Sequence, residues 1–276
     1  MPKICYNGQF IDKTKFFLSV SNRAFKYGDS FFETIKCVDA YPLFWEEHYF
    51  RIAGSFVILK FSTPDFFNIE YFKDLIHELL ILNKLSKSSS RVRISFFRND
   101  GGYYLPNDNS ISFVIETDVL KSKKYILNHE GLIFGIYKEN LLYNNYISRL
   151  KSNNKILNII ASIYAKEHHF DDVLLLNNKH NVVESTFGNL FIISNGDIIT
   201  PPVEEGCVDG VMRKVLIDRL ELKINLKPIS ISDLLNAEEV FISNVIRGIQ
   251  WCSLINNKKL SNKFTISLNQ KLNKLI

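Results

Sequence analysis

Two residues in the middle of the chain, Lys151 and Glu184, have side chains and settings that suit chemistry on a carbonyl compound. Lys151 stands in a polar, asparagine-rich run just before isoleucines that recur at helical spacing from 156 to 163. Glu184 ends a short apolar run after an asparagine-rich gap with hairpin chemistry. A desolvated amine can form a Schiff base, and a carboxylate can keep a nearby ring nitrogen protonated. Both residue types are common on solvated surfaces, so the pair alone does not identify a site.

The letters around this pair form a longer signature: K-x-x-N from Lys151, D-D-x-L-L-L-N from Asp171, and V-x-E-x-x-x-x-N-L-F from Val182. This signature resembles that of the fold-type-IV, class-IV pyridoxal-phosphate aminotransferases. The family includes branched-chain aminotransferases, D-amino-acid aminotransferases and aminodeoxychorismate lyases. The resemblance implies pyridoxal 5′-phosphate as cofactor, with Lys151 as the catalytic residue that binds it and Glu184 facing its pyridine nitrogen.

A second lysine is an alternative candidate for the residue that binds the cofactor. Lys155 also has an asparagine, Asn158, three residues further on. Lys151 is preferred because Asn154 and the Asp171-Asp172 pair then fall at the family spacing without a gap.

The resemblance also assigns a cradle for the cofactor phosphate. Arg51 ends an H-x-x-R motif on a predicted helix, and a guanidinium is a planar, permanently charged fork that suits phosphate. Val211 and Met212 follow Gly210 at the start of a predicted helix, where free N–H groups favour an anion. Ser243 lies in a segment that resembles the family's T-N-A-x-x-G-I and would add a hydroxyl.

Three further residues are predicted to contact the substrate. Phe32 lies in a segment close to the family's D-R-x-x-x-Y-G-D-G-x-F-E-T, in which Asn22 replaces the aspartate and Ser30 the second glycine. Members that act on D-amino acids tend to have tyrosine where this chain has Phe32, which counts against that group. Arg98 and Tyr104 belong to an R-x-x-G-G-x-Y turn that resembles the hairpin of aminodeoxychorismate lyases; an ordinary Gly-Gly turn is the alternative.

Composition describes an ordinary folded protein and excludes several classes. The 276 residues are 46% hydrophobic and 23% charged, with a formal charge of +5 spread over scattered lysines. No basic block suggests a nucleic-acid partner, and no apolar run is long enough to span a membrane. Four widely separated cysteines, without a CxxC motif, indicate neither a metal site nor a disulfide framework. A cytoplasmic location is expected.

The predicted architecture is an α+β, two-domain fold-type-IV enzyme similar to D-amino-acid aminotransferase. A smaller N-terminal α/β domain is expected over residues 1–120, and a larger C-terminal domain with the cofactor lysine over 121–276, with the cofactor between them. Periodicity predicts helices over 45–61 and 67–82, strands over 91–97, 111–117 and 132–137, and a loop over 138–150.

The resemblance leaves two reactions open for a small amino substrate. The preferred one is that of 4-amino-4-deoxychorismate lyase, which releases pyruvate to give 4-aminobenzoate for folate biosynthesis. The alternative is a transaminase of amino-acid metabolism, similar to the branched-chain enzymes, with 2-oxoglutarate as acceptor. The family is usually homodimeric, so a homodimer is expected as well.

Overall fold

The structure, a computed structural model, describes residues 1–220 and 222–276 and divides them into two compact units. The first unit contains residues 1–123 and 151–154, and the second contains 124–150 and 155–276. The short segment 151–154 thus packs with the first unit, whereas the division made from the sequence placed Lys151 in the C-terminal domain. None of the helices in the described residues combines the length and the apolar character needed to cross a membrane.

The first unit is an antiparallel sheet with helices. Its described strands follow the spatial order β2-β1-β6-β5-β3-β4. The strands are β1 (Lys3–Tyr6), β2 (Gln9–Asp12), β3 (Ser30–Val38), β4 (Tyr41–Pro42), β5 (Ser89–Arg98) and β6 (Ile111–Leu120), and the helices are α1 (Arg23–Tyr27), α2 (Trp45–Leu59) and α3 (Ile69–Leu82).

Aromatic side chains form the core of this unit. Phe72 of α3 lies edge-on to both Phe96 of β5 and Phe113 of β6, with ring centroids 5.5 and 5.1 Å apart. Local chemistry sets the ends of the helices. Asn22 caps α1 by accepting a hydrogen bond from the Phe25 N–H, and Gly28 ends this helix in the left-handed region that glycine tolerates.

The second unit is built on a sheet that closes on itself. Among residues 124–220 and 222–276, the spatial order is β12-β11-β10-β13-β14-β7-β8-β9, β15 pairs with β14, and β9 also pairs with β10. The strands are β7 (Leu132–Leu142), β8 (Asp172–Asn177), β9 (Val182–Ser185), β10 (Asn189–Ser194), β11 (Asp197–Thr200), β12 (Ile224–Leu226), β13 (Glu239–Asn244), β14 (Gly248–Ile255) and β15 (Lys258–Lys259), and the helices are α4 (Ile156–Glu167), α5 (Val211–Arg219), α6 (Ile231–Asn236) and α7 (Lys263–Leu272).

Strand β7 corrects one expectation from the sequence. The loop expected to begin at residue 138 instead continues the strand to Leu142, with a register irregularity between Tyr137 and Leu142 where it pairs with β8. Three consecutive residues of this stretch, 138–140, are exposed. They are all polar, so the alternation of polar and apolar residues that is typical of a strand is lost at this irregularity. The strand period was therefore not visible in the sequence.

Helix α4, which follows Lys151 in sequence, packs on this sheet through small side chains. Ala161 and Ala165 are buried, and Leu157 and Tyr164 join them against Tyr137 and strand β8. The isoleucines of the helical pattern point away from this core. Between 42% and 69% of each of their surfaces is exposed, at Ile156, Ile159, Ile160 and Ile163.

Candidate active site

The Lys151 segment runs beside the start of β3 in the first unit. The Phe32 N–H donates to the Lys151 carbonyl at 3.0 Å, and the Asn153 N–H donates to the Ser30 carbonyl at 3.1 Å. An antiparallel bridge joins Phe31 and Ser152 between these two bonds. Backbone pairing therefore fixes the position from which the Lys151 side chain extends.

The ring of Phe32 contacts two cationic side chains. The Lys151 Nζ lies 4.6 Å from the ring centroid, and the Arg93 guanidinium carbon lies 3.7 Å from it, both within cation–π range. Arg93 also donates to the Ser95 hydroxyl at 3.2 Å. Its Nε lies 4.0 Å from Glu116 Oε1, and a guanidinium that shares the Phe32 ring with the predicted cofactor lysine can bind a substrate carboxylate. Arg93 was not predicted from the sequence, although its place in the alternating pattern of β5 was a usable signal.

Arg51 lies on α2 in a buried ion pair with Glu33 of β3. The Arg51 Nε donates to Glu33 Oε2 at 3.0 Å, and one terminal nitrogen donates to Oε1. His48, one turn earlier on α2, bonds Oε1 through Nδ1 at 2.8 Å. Burial raises the pKa of Glu33, but the Arg51 charge and His48 outweigh this and hold the pKa well below its usual range. Arg51 is therefore held by an ionised carboxylate in a part-buried position, rather than lying on the open surface.

Arg98, predicted as a substrate contact, has its donors engaged inside the first unit. It donates to Asp29 Oδ2 at 2.9 Å, to the Leu59 carbonyl at 2.7 Å and to the Lys60 carbonyl at 3.3 Å. A further bond joins it to the Asn109 side chain. These partners occupy the end of α2 and the base of the hairpin after β5, so the geometry favours a structural role.

The Gly-Gly hairpin after β5 is held by a second arginine. Arg23 of α1 is buried, pairs with the same Asp29 carboxylate at 2.8 Å, and donates to the carbonyls of Gly101 at 2.9 Å and Tyr103 at 2.5 Å. Tyr104 itself is 90% exposed, and its ring lies 5.7 Å from that of Tyr27. Arg23 therefore holds the backbone of the hairpin in place, whereas the Tyr104 side chain is exposed.

Glu184 lies in the second unit, where three strands bring polar residues into one row. Asn189 of β10 is the register partner of both Glu184 on β9 and Ser243 on β13. Glu184 is buried and accepts a hydrogen bond from the Val208 N–H at 2.9 Å. Asn189 donates to the Val208 carbonyl at 2.8 Å. The segment before α5 is therefore tied to this row through Val208. Asn189 organises this arrangement, and no role was predicted for it from the sequence.

The start of α5 and Ser243 have the features of an anion site. Gly210 precedes Val211 and Met212, whose N–H groups belong to the first turn of the helix and have no partner within it. A Cβ on Gly210 would overlap Asn189 Oδ1 and lie 3.0 Å from Asn189 Cγ, so the backbone approaches β10 closely. The Ser243 hydroxyl is buried and has no hydrogen-bond partner among the described residues. A buried donor without a partner is costly, so an anion here would satisfy it.

These features fit pyridoxal 5′-phosphate group by group. Within the second unit, the start of α5 and the Ser243 hydroxyl suit its phosphate, and the Glu184 carboxylate suits a protonated ring nitrogen. Lys151 belongs to the first unit and has an amine of the kind that its carbonyl requires. The roles of these individual residues, and those of Phe32 and Tyr104, stay predictions.

Comparison with known proteins agrees with this chemistry. The model of the family described as Amino-transferase class IV matches residues 30–255. A Methanocaldococcus jannaschii protein provisionally named a branched-chain-amino-acid aminotransferase is 27% identical over 274 residues, which cover 98% of this chain and 93% of that protein. An aminodeoxychorismate lyase of Vibrio harveyi is 26% identical over 235 residues, which cover 83% of this chain and 84% of the lyase.

A solved structure shares the fold. The branched-chain aminotransferase of Thermoproteus uzoniensis, crystallised with norvaline, matches with a TM-score of 0.87 at 21% identity, over 97% of this chain and 92% of that one. The predicted fold-type-IV architecture is confirmed. The family match spans most of the chain, and the chain therefore belongs to the class IV amino-transferases, enzymes that depend on pyridoxal 5′-phosphate.

Proposed function

We propose that this enzyme is a 4-amino-4-deoxychorismate lyase, which converts its substrate into 4-aminobenzoate and pyruvate. The observation that carries the proposal is the R-x-x-G-G-x-Y hairpin, which resembles that of the lyases. Arg23, itself paired with Asp29, donates hydrogen bonds to two carbonyls of the hairpin. These bonds hold the hairpin in place, which supports a functional role for it over that of an ordinary turn. The similarity to the Vibrio harveyi lyase supports the same reaction.

Each cofactor-binding residue then has a role that follows from its chemistry. Lys151 binds the cofactor carbonyl, and Glu184 keeps the ring nitrogen protonated because an opposite charge favours the protonated form. The Val208 N–H orients the Glu184 carboxylate for this role. Arg51, the N–H groups of Val211 and Met212, and the Ser243 hydroxyl bind the phosphate. When bound, pyridoxal phosphate supplies an electron sink for the carbon that bears the amine.

The reaction needs proton transfers that Lys151 can carry out. The Lys151 amine is the group that would accept the proton from the amine-bearing ring carbon. The ring carbon–oxygen bond to the enolpyruvyl group then breaks, and that group takes up a proton and leaves as pyruvate. The two products contain all atoms of the substrate, so no external oxidant or reductant is required. Arg93 and Lys151 both contact the Phe32 ring, which supports a role for Arg93 in binding a carboxylate of this anionic substrate.

Product analysis tests the proposal directly. The purified holoenzyme is incubated with aminodeoxychorismate, and 4-aminobenzoate and pyruvate are quantified. We expect both products in equal amounts, and we expect Lys151→Ala to abolish them. Lys155→Ala is the matched control and should retain the reaction. Absence of 4-aminobenzoate from an active, cofactor-loaded enzyme would refute the lyase proposal.

A transaminase is the second candidate, because the Methanocaldococcus jannaschii relative matches almost the whole chain. Incubation with leucine, isoleucine or valine and 2-oxoglutarate tests this candidate. Formation of glutamate without lyase products would assign the enzyme to transamination.

We further propose that the enzyme is a cytoplasmic homodimer in folate biosynthesis. Buried, free cysteines support a reducing compartment. The exposed isoleucines of α4 support a dimer, since contiguous apolar surface marks an interaction site. Light scattering of the purified protein should give the mass of two chains, and a single-chain mass at working concentration would contradict the dimer.

A further inference from the structure

We propose that Glu33 is a positioning residue that holds the Arg51 guanidinium in one orientation for binding the cofactor phosphate. His48 acts with it by fixing the Glu33 carboxylate. The inference rests on the phosphate role proposed for Arg51 and assigns two residues that the family signature left without a function.

The geometry of the pair fixes the plane of the guanidinium. Glu33 accepts from Arg51 Nε at 3.0 Å through one oxygen and from a terminal nitrogen through the other. Two parallel bonds define the orientation of a planar fork, which a single point contact cannot do. The pairing uses the side of the fork formed by Nε and one terminal nitrogen.

The Glu33 carboxylate is itself held from several directions. It is 1% exposed, and Oε1 accepts from the Thr34 N–H at 3.1 Å and bonds His48 Nδ1 at 2.8 Å. His48 and Arg51 lie three residues apart on α2, so both reach β3 from the same helix face. The carboxylate cannot rotate without losing bonds to both strand and helix.

The charges of the cluster support this division of roles. Burial lowers the pKa of His48, and Glu33 offsets this only in part, so the imidazole is neutral near pH 7. His48 therefore acts as a neutral hydrogen-bond donor, and Glu33 and Arg51 contribute one charge each. Arg51 keeps 13% of its side chain exposed, whereas Glu33 and His48 are fully buried. The exposed end of the network is thus the arginine, the group suited to an anion.

A held arginine should bind phosphate better than a mobile one. Arginine has high side-chain entropy, and ordering it when the anion binds reduces affinity. Glu33 provides that order before binding. The competing account is an ion pair that only joins α2 to β3, which would affect stability and leave cofactor affinity unchanged.

A double-mutant cycle on cofactor affinity separates the two accounts. Apoenzymes of wild type, Glu33→Gln, Arg51→Ala and the double variant are titrated with pyridoxal 5′-phosphate. The phosphorus NMR shift of bound cofactor is recorded as a second readout. We expect Arg51→Ala and Glu33→Gln each to weaken binding about tenfold or more. In the Arg51→Ala background, Glu33→Gln should change affinity by less than about twofold, because residues that act as a unit are not additive. Glu70→Gln, at an exposed position of α3 where Glu70 pairs with Lys73, is the matched control and should bind as wild type.

The outcomes distinguish this inference from the function on which it rests. Unchanged affinity in Arg51→Ala would refute the phosphate role of Arg51. Weakened affinity in Arg51→Ala with unchanged or tighter binding in Glu33→Gln would refute only the positioning role, as would independent, additive effects. If Glu33→Gln does not fold, Arg51→Lys replaces it, because it keeps the charge and loses the two-bond pairing. Wild-type affinity and an unshifted phosphorus signal in Arg51→Lys would then refute the inference.

Discussion

Replacing Gly210 by alanine should damage both the fold and the cofactor site, for a reason that is purely steric. Gly210 precedes α5 with φ −73° and ψ 131°, a conformation that alanine adopts without strain. The added Cβ, however, would overlap Asn189 Oδ1 and lie 3.0 Å from Asn189 Cγ. The Asn189 amide cannot swing aside freely, because it is buried and bonded to the Val208 carbonyl at 2.8 Å.

The magnitude follows from these contacts. Overpacking a tightly packed site costs about 1–3 kcal/mol. Loss of the Asn189 hydrogen bond adds roughly 0.5–1.5 kcal/mol. We therefore expect Gly210→Ala to lower the free energy of unfolding by about 2–4 kcal/mol, together with cofactor affinity, since the start of α5 must move.

Thermal unfolding of the apoenzyme and titration with pyridoxal phosphate measure the two effects. Gly54→Ala is the matched control, because Gly54 lies inside α2 and its added Cβ meets no atom within 4 Å. That variant should be stabilised by about 0.5–1 kcal/mol through helix propensity. Adding Asn189→Ala to Gly210→Ala should recover part of the lost stability by removing the clash. A Gly210→Ala enzyme with wild-type stability and cofactor affinity would refute the reasoning.

Three further predictions concern the cofactor residues. Borohydride reduction of the holoenzyme should fix the cofactor to the peptide at Lys151, as mass spectrometry would show; an adduct at Lys155 would overturn this register. Arg51→Ala should raise the cofactor dissociation constant by an amount equivalent to about 1.5–3 kcal/mol, and an unchanged constant in a binding titration would contradict its phosphate role. Glu184→Gln should lower turnover far more than substrate affinity in steady-state kinetics, because protonation of the ring matters most in the transition state. Wild-type turnover in this variant would remove Glu184 from the site.

The elements of the fold could be predicted largely from local sequence. Helical periodicity predicted α2 over 45–61 and α3 over 67–82, and the structure has them at Trp45–Leu59 and Ile69–Leu82. The strand patterns predicted β5 and β6 with errors of at most three residues at their ends. Helix caps and the alternation of side chains along a strand depend on residues only a few positions apart, so both can be predicted from local sequence. Strand β7 was predicted to end at residue 137 rather than at Leu142, because residues 138–142 lack this alternation.

The family and its cofactor could also be recognised from sequence, because the signature around Lys151 and Glu184 is a run of letters at nearly fixed spacing. The spacing of Lys151 and Glu184 in the sequence did not reveal which other residues hold these two side chains in place. The Asn189 side chain reaches Val208, 19 positions later, only because β10 and the segment before α5 meet in the folded unit. Arg93 comes to lie beside Lys151 through the pairing of residues 151–154 with β3.

The partners of the charged residues were decided by the tertiary structure alone. Arg98 ends β5 and Arg51 lies in the middle of α2, and their motifs predicted a ligand-binding role for each. Folding brings Arg98 to Asp29, 69 positions away, and to carbonyls at the end of α2, so its donors are engaged. Arg51 meets Glu33 across 18 positions and keeps part of its side chain exposed. A charged side chain is paired by what the fold brings near it, and spacing along the chain does not encode that distance.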